Sequence, residues 1–150
     1  NIKVKSSVKM QIKKEIKFGL NKFSTYKNFA EKTQKSKNNL KKLLIKLKSK
    51  NNKIIGYGAT AKATTVLNYC NIDNNIIDFF VDTTPDKFNK FMPGKNIKIL
   101  KYNKALFKNI DYIFLGAWNF KSEIFNKEKK YIKMGGKFIT HIPNAKIIKK

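Results

Sequence analysis

Residues 53–70 read KIIGYGATAKATTVLNYC. Gly56, Gly58 and Ala61 keep the spacing Gly-x-Gly-x-x-Gly/Ala between a short apolar run and a helix-like segment. That context gives the spacing meaning. The first glycine permits a tight turn, the second lets a phosphate approach the backbone, and the small third residue lets helix and strand pack closely. First-turn amides of the helix, backed by its positive dipole end, then face an anion. The loop Gly56, Tyr57, Gly58, Ala59, Thr60 and Lys62 is therefore a candidate cradle for a nucleotide or diphosphate. Lys62 is one of 34 lysines, so its position alone says little. Asp82 follows Ala61 by 21 positions, about where such folds set an acid against a ribose hydroxyl. Two plainer readings stay open: the loop is only a strand-to-helix turn, and Asp82 only a turn former at a strand end.

Four further groups fall near the same predicted edge. The segment DTTPDKFNKFMPGKN, residues 82–96, contains Pro85 and Pro93, which exclude an ordinary helix. A long loop in a compact domain is usually functional or disordered, and Phe88, Phe91 and Met92 argue against disorder. Its Pro85, Lys87, Pro93 and Gly94 are expected to shape a pocket wall at the carboxyl end of the sheet, where α/β folds bind ligands. Trp118 either stacks on a flat ligand group or packs in the core. Asn119 is placed to cap the next helix, with Glu123 in its first turn, or to line the site. His141 ends the last predicted strand and is either a packed residue or a ligand contact. No nucleophile–base pair is visible, so no catalytic residue is assigned. The single Cys70 excludes an intramolecular disulfide framework and a zinc cluster.

The elements that must position these residues follow from periodicity. Val8, Ile12 and Ile16 share one helical face, and Gly19 is suited to end that helix with Leu20 folding back. A second helix spans about residues 23–49, with Tyr26, Ala30, Leu40, Leu44 and Leu47 on one stripe interrupted by Thr33 and Lys37. Its polar middle suggests exposure or a bridge between domains. From residue 53 strands alternate with helices: KIIGY, a helix over 60–69, NIIDFFVD, NIKIL, a short helix over 102–108, DYIFLGA, an amphipathic helix over 119–133 stopped by Gly135-Gly136, and KFITHI. This predicts an α/β, Rossmann-like, doubly wound and mostly parallel five-stranded sheet (51–150) behind a helical lead-in (1–50).

With 150 residues, 41% of them hydrophobic, the chain can bury a core. It has no run of about 18 apolar residues, so no transmembrane helix and no membrane partner is expected. Its first residues show no apolar core of signal-peptide length and no small-residue cleavage site, and a reducing cytoplasm is expected. A chain that starts at Asn1 without Met is expected to be a fragment or excised domain. The net charge of +25 is all lysine, with no arginine. Base readers and bidentate phosphate grips favour arginine. The lysines are also spread through every segment among Asn and Ile, as A/T-rich coding produces. A nucleic-acid partner is therefore not the favoured reading, although a salt-sensitive attraction for anions remains.

Three stretches, GYGATAKATTVLNYC, VDTTPDKFNKFMPG and AWNFKSEI, occur in this order. Together they resemble the C-terminal domain of S-adenosylmethionine-dependent sugar C-methyltransferases, which act on nucleotide-linked deoxysugars. The lead-in KFGLNKFSTYKNFAEKTQKSKNNLKKLLIKLK and the ending GGKFITHIP are similar too, so the likeness covers nearly the whole chain. It implies a full-length enzyme with a zinc-binding segment, a middle domain that holds the methyl donor and supplies the base, and this domain on the other side of the nucleotide diphospho-sugar. S-adenosylmethionine would bind upstream, outside this chain, with no cofactor held within it, and the chain alone would transfer no methyl group. Lys87, Pro93 and Gly94 match the family pattern, whereas Phe88 stands where the family usually has Gln, which bears on the sugar accepted. The alternatives from other classes are the NAD(P)-binding Rossmann domain of an oxidoreductase and a basic nucleic-acid-binding module.

Overall fold

The computed structural model describes residues 4–148. The chain divides into two compact units, one ending at Lys35 and the other running Ser36–Lys150. In the first lie helix α1 (Ser6–Phe18) and the start of helix α2 (Phe23–Lys48). Gly19 closes α1 at φ 85°, a left-handed conformation that only glycine adopts cheaply. The Leu20 amide reaches back to the Glu15 carbonyl, 3.0 Å, and the Gly19 amide to Ile16, 2.9 Å. Tyr26 donates to the Leu20 carbonyl at 2.6 Å.

The second unit is built on strands β1 (Ile54–Tyr57), β2 (Phe79–Asp82), β3 (Lys98–Lys101), β4 (Tyr112–Leu115), β5 (Lys137–Thr140) and β6 (Lys146–Ile148). Their order is β3-β2-β1-β4-β5-β6, parallel except for β6, which runs antiparallel to β5. Helix α3 (Ala61–Cys70) follows β1, and α4 (Lys121–Lys127) with α5 (Lys129–Lys133) follows β4. Successive strand residues point to opposite faces, which sorts the core into two layers. Ile54, Phe80, Phe114 and Ile139 pack with Leu40, Leu44 and Leu47 of α2 and with Ala63 and Leu67 of α3. Their neighbours Ile55, Val81, Ile113 and Phe138 pack with Phe107, Ile124, Phe125 and Tyr131 on the other side. The Lys48–Asp78 ion pair joins the end of α2 to the approach to β2.

The doubly wound α/β architecture is as predicted, with four differences. The sheet has six strands where the sequence predicts five. β6 is three residues long behind Pro143 and shows no alternation; its pairing with β5, Thr140 opposite Lys146, is what defines it. Residues 102–108 hold only a 3-10 turn, Lys104–Phe107. The helix predicted over 119–133 is broken at Glu128, between α4 and α5. β2 begins at Phe79, because Asp73 ties residues 75–77 into a turn through its side chain and carbonyl.

Candidate functional site

β1, β2, β4 and β5 deliver their carboxyl ends to one edge, and the loop Gly56–Lys62 leaves β1 there. Thr60 caps α3: its hydroxyl accepts from the Ala63 amide at 3.1 Å and donates to the Gly116 carbonyl at 3.1 Å. The Gly58 amide donates to Val81, 2.9 Å, and the Thr60 amide to Gly58, 3.0 Å. Gly58 has φ +83°, and a Cβ there would lie 2.5 Å from that of Ala117. A Cβ on Gly56 would lie 2.3 Å from the Phe80 ring. Both glycines are thus explained by close packing within the chain. What the loop leaves open is its far end. Among the described residues no acceptor meets the amides of Ala61 and Lys62, as is usual for a helix first turn.

Asp82 lies at this edge but faces the loop. One carboxylate oxygen accepts from the Ala59 amide at 2.7 Å and from Lys87 Nζ at 3.2 Å; the other accepts from the Thr84 amide at 2.8 Å. Burial alone would raise its pKa, but the hydrogen bonds from Thr84, Lys87 and Ala59 together outweigh that and hold it below the ordinary aspartate value. A nucleoside ribose needs a carboxylate free to accept from its hydroxyls, and this one is already engaged. The loop thus offers an adenosyl methyl donor no carboxylate free of internal donors.

Lys62 Nζ stands 5.4 Å from the centre of the half-buried Trp118 ring, which brings the α3 start and the β4 exit together on one rim. Pro85 lies exposed in a 3-10 turn, Pro85–Lys87, that follows Asp82 and brings Lys87 back to its carboxylate. Tyr57 points away, into the layer below: its hydroxyl donates to Glu128 Oε1 at 3.1 Å, and Tyr102 donates to the same oxygen at 2.7 Å. Burial, then the Glu128 charge, push the Tyr57 hydroxyl far above its usual pKa. Ala59 is buried in the α3 layer. Asn119 does not cap α4; it sits in a 3-10 turn, Trp118–Phe120, and α4 starts two residues on without a side-chain cap. His141 is 5% exposed, stacked 5.4 Å from Phe114, and burial lowers its pKa to about 4. Its Nδ1 has no partner among the described residues.

Pro93 and Gly94 are not at this edge. After Lys87 the chain turns back along β3: Asn89 donates to Ile99, Ile99 to Lys90, and Met92 to Ile97. Pro93 and Gly94 therefore reach the amino end of the sheet, beside the last turn of α3, where Asn68 donates to the Pro93 carbonyl at 2.9 Å. The wall predicted for residues 82–96 is in fact two parts at opposite edges, and only Pro85 and Lys87 stay near the loop. A cavity of about 590 Å³ lined by Phe107, Ile110, Asp111, Tyr131, Gly136 and Lys137 also lies toward the amino ends, of β4 and β5. Sequence reasoning overlooked Gly116 and Ala117, the floor against which Gly58 packs, and Glu128, whose partners come from distant strands.

Residues 1–143 match the family described as the C-methyltransferase C-terminal domain.

The chain belongs to this C-methyltransferase family.

Among curated proteins this C-methyltransferase domain is similar to C-methyltransferase NovU of Streptomyces niveus, 32% identical over 145 residues. That alignment covers 97% of the chain but only 34% of NovU, so the chain spans about a third of its relative's length. The likeness takes in both units of the C-methyltransferase domain. No helix among the described residues is long and apolar enough to cross a membrane, and no three His, Cys, Asp or Glu side chains come together as a metal site.

Proposed function

We propose that this domain holds a nucleotide diphospho-sugar for a C-methyltransferase that alkylates a keto-deoxysugar, with the donor-binding domain lying outside the chain. The observation that carries the reading is the pair of open amides at Ala61 and Lys62, on a rim shared with the Lys62 ammonium and the Trp118 ring. Two backbone donors at a helix start, the dipole behind them and a lysine ammonium suit a diphosphate. An indole face at the same rim suits a base or sugar ring. Thr60 and Asp82 serve by fixing the loop, and Pro85 and Asn119 border it. His141 supports the rim from beneath through Phe114.

In the whole enzyme S-adenosylmethionine supplies the methyl group. The sugar carbon beside the keto group loses a proton and takes that methyl. This domain contributes position: the carbon must lie in line with the methyl, and effective molarity gained this way is large. The reading sets the enzyme in the cytoplasm, acting on a soluble nucleotide sugar.

Calorimetric titration tests it. A thymidine diphospho-sugar should bind with a Kd of about 0.1–1 mM, competitively with pyrophosphate, and NAD should bind at least tenfold more weakly. Tighter binding of NAD, or loss of all sugar-nucleotide binding at moderate salt while the protein stays folded, overturns the reading.

A further inference from the structure

The unit that ends at Lys35 has no core of its own. Among residues 4–35 only Gly19 is buried, and α1 contributes no buried side chain. Large apolar groups nevertheless crowd it. Val8, Ile12 and Ile16 line one side of α1, Phe18 borders that side about 80° around the axis from Val8, and Met10 stands on the opposite side, about 160° from both Val8 and Ile12. Phe18 is 75% exposed, and Phe23 in the first turn of α2 is 83% exposed. A run of exposed apolar residues on this scale marks a contact surface.

We propose that α1 and the first turns of α2 are the seat of the methyltransferase domain that precedes this C-terminal domain in the enzyme, and that the docking face of that domain carries acidic residues. The inference rests on the reading above, and three observations favour this occupant. The family is that of a C-terminal domain, and the chain spans only 34% of NovU, so most of such an enzyme lies elsewhere. Between residues 4 and 35 there are nine lysines against Glu15 and Glu31, so a second copy would bring like charges together while an acidic face complements them. An interfacial membrane helix keeps its apolar groups on one face, whereas Met10, 58% exposed, stands among Lys13, Lys14 and Lys17 on the far side of α1.

The test is hydrogen exchange over residues 6–35, in the 150-residue chain alone and in the intact enzyme that includes the methyltransferase domain. Protection at least tenfold greater in the intact enzyme is expected, lost in Ile12→Asp and in Phe18→Asp while α3 and the strands exchange unchanged. Equal exchange in the two forms overturns the proposal, as does a coding region with no methyltransferase domain ahead of this one. A dimer of the isolated chain that Ile12→Asp dissociates overturns it in favour of self-association. Flotation with vesicles containing 30% anionic lipid, abolished by the same substitution, overturns it in favour of a membrane. Thymidine diphospho-sugar titration of Ile12→Asp in the isolated chain should match the unsubstituted chain, so a failed docking result and a failed substrate reading are told apart.

Discussion

Replacing Asp82 with Asn separates a carboxylate that holds the loop from one reserved for a ligand. Asn keeps a single acceptor oxygen and no charge. One of the two amides now served, that of Ala59 or Thr84, must then face an NH₂ group, and Lys87 loses its partner. A hydrogen bond to a charged group contributes about 1.5–3 kcal/mol, and a stranded buried donor costs about 1–3 kcal/mol. The Lys87 pair adds at most about 1 kcal/mol, since the lysine end is more than a third exposed. These effects overlap, and a net loss of about 2–4 kcal/mol is expected. Urea unfolding followed by the fluorescence of Trp118, the single tryptophan, reads it directly, as a midpoint drop of about 1–2 M with unchanged slope. Sugar-nucleotide affinity measured on the folded protein should fall only modestly. A stability loss below about 0.5 kcal/mol together with a tenfold loss of affinity would refute the reasoning, because the carboxylate would then be serving the ligand.

Further outcomes follow from the same geometry. Gly58→Ala forces a Cβ to 2.5 Å from Ala117 at positive φ, and should cost about 2–4 kcal/mol in the same unfolding assay. His141 binds its proton more readily unfolded than folded, so stability should fall as the pH drops from about 6.5 to about 4, by at most roughly 3 kcal/mol, and then stop changing on its account. His141→Leu should flatten that window. Asp82, with its folded pKa depressed, contributes stability that is present above about 3.8 and lost as the pH falls through its lower folded value. Lys62→Ala should weaken sugar-nucleotide binding about three- to tenfold, with a shallower salt dependence, and leave the urea midpoint within error.

The parts of the fold visible in the sequence were those with local signals. Alternation of apolar runs with amphipathic stretches marks β1 to β5 and α3, and Gly19 marks the end of α1. The fingerprint marks the strand–turn–helix. What local pattern does not carry is the far partner. Gly56 and Gly58 look the same whether their missing Cβ makes room for a phosphate or for Phe80 and Ala117. Asp82 stands at the distance expected of a ribose acid, yet its donors are Ala59, Thr84 and Lys87. Glu128, 2% exposed, breaks an otherwise continuous helical pattern where its carboxylate meets tyrosines from β1 and from the segment after β3. Pro93 and Gly94 looked like rim residues because the return of residues 89–92 along β3 has no signature beyond Asn89 and Gly94, both at positive φ. Counting strands, by contrast, is enough to set Trp118 and the start of α3 at one edge, where Lys62 Nζ stands 5.4 Å from the indole centre.

The central claim is that the start of α3 receives a diphosphate. Amide resonances followed through a thymidine diphospho-sugar titration test it most directly. The account predicts saturable shifts at Ala61 and Lys62 and at the Trp118 indole, reproduced at the two amides by pyrophosphate alone. Shifts confined to residues around the Tyr131 cavity, or none at Ala61 and Lys62 at saturation, would contradict it.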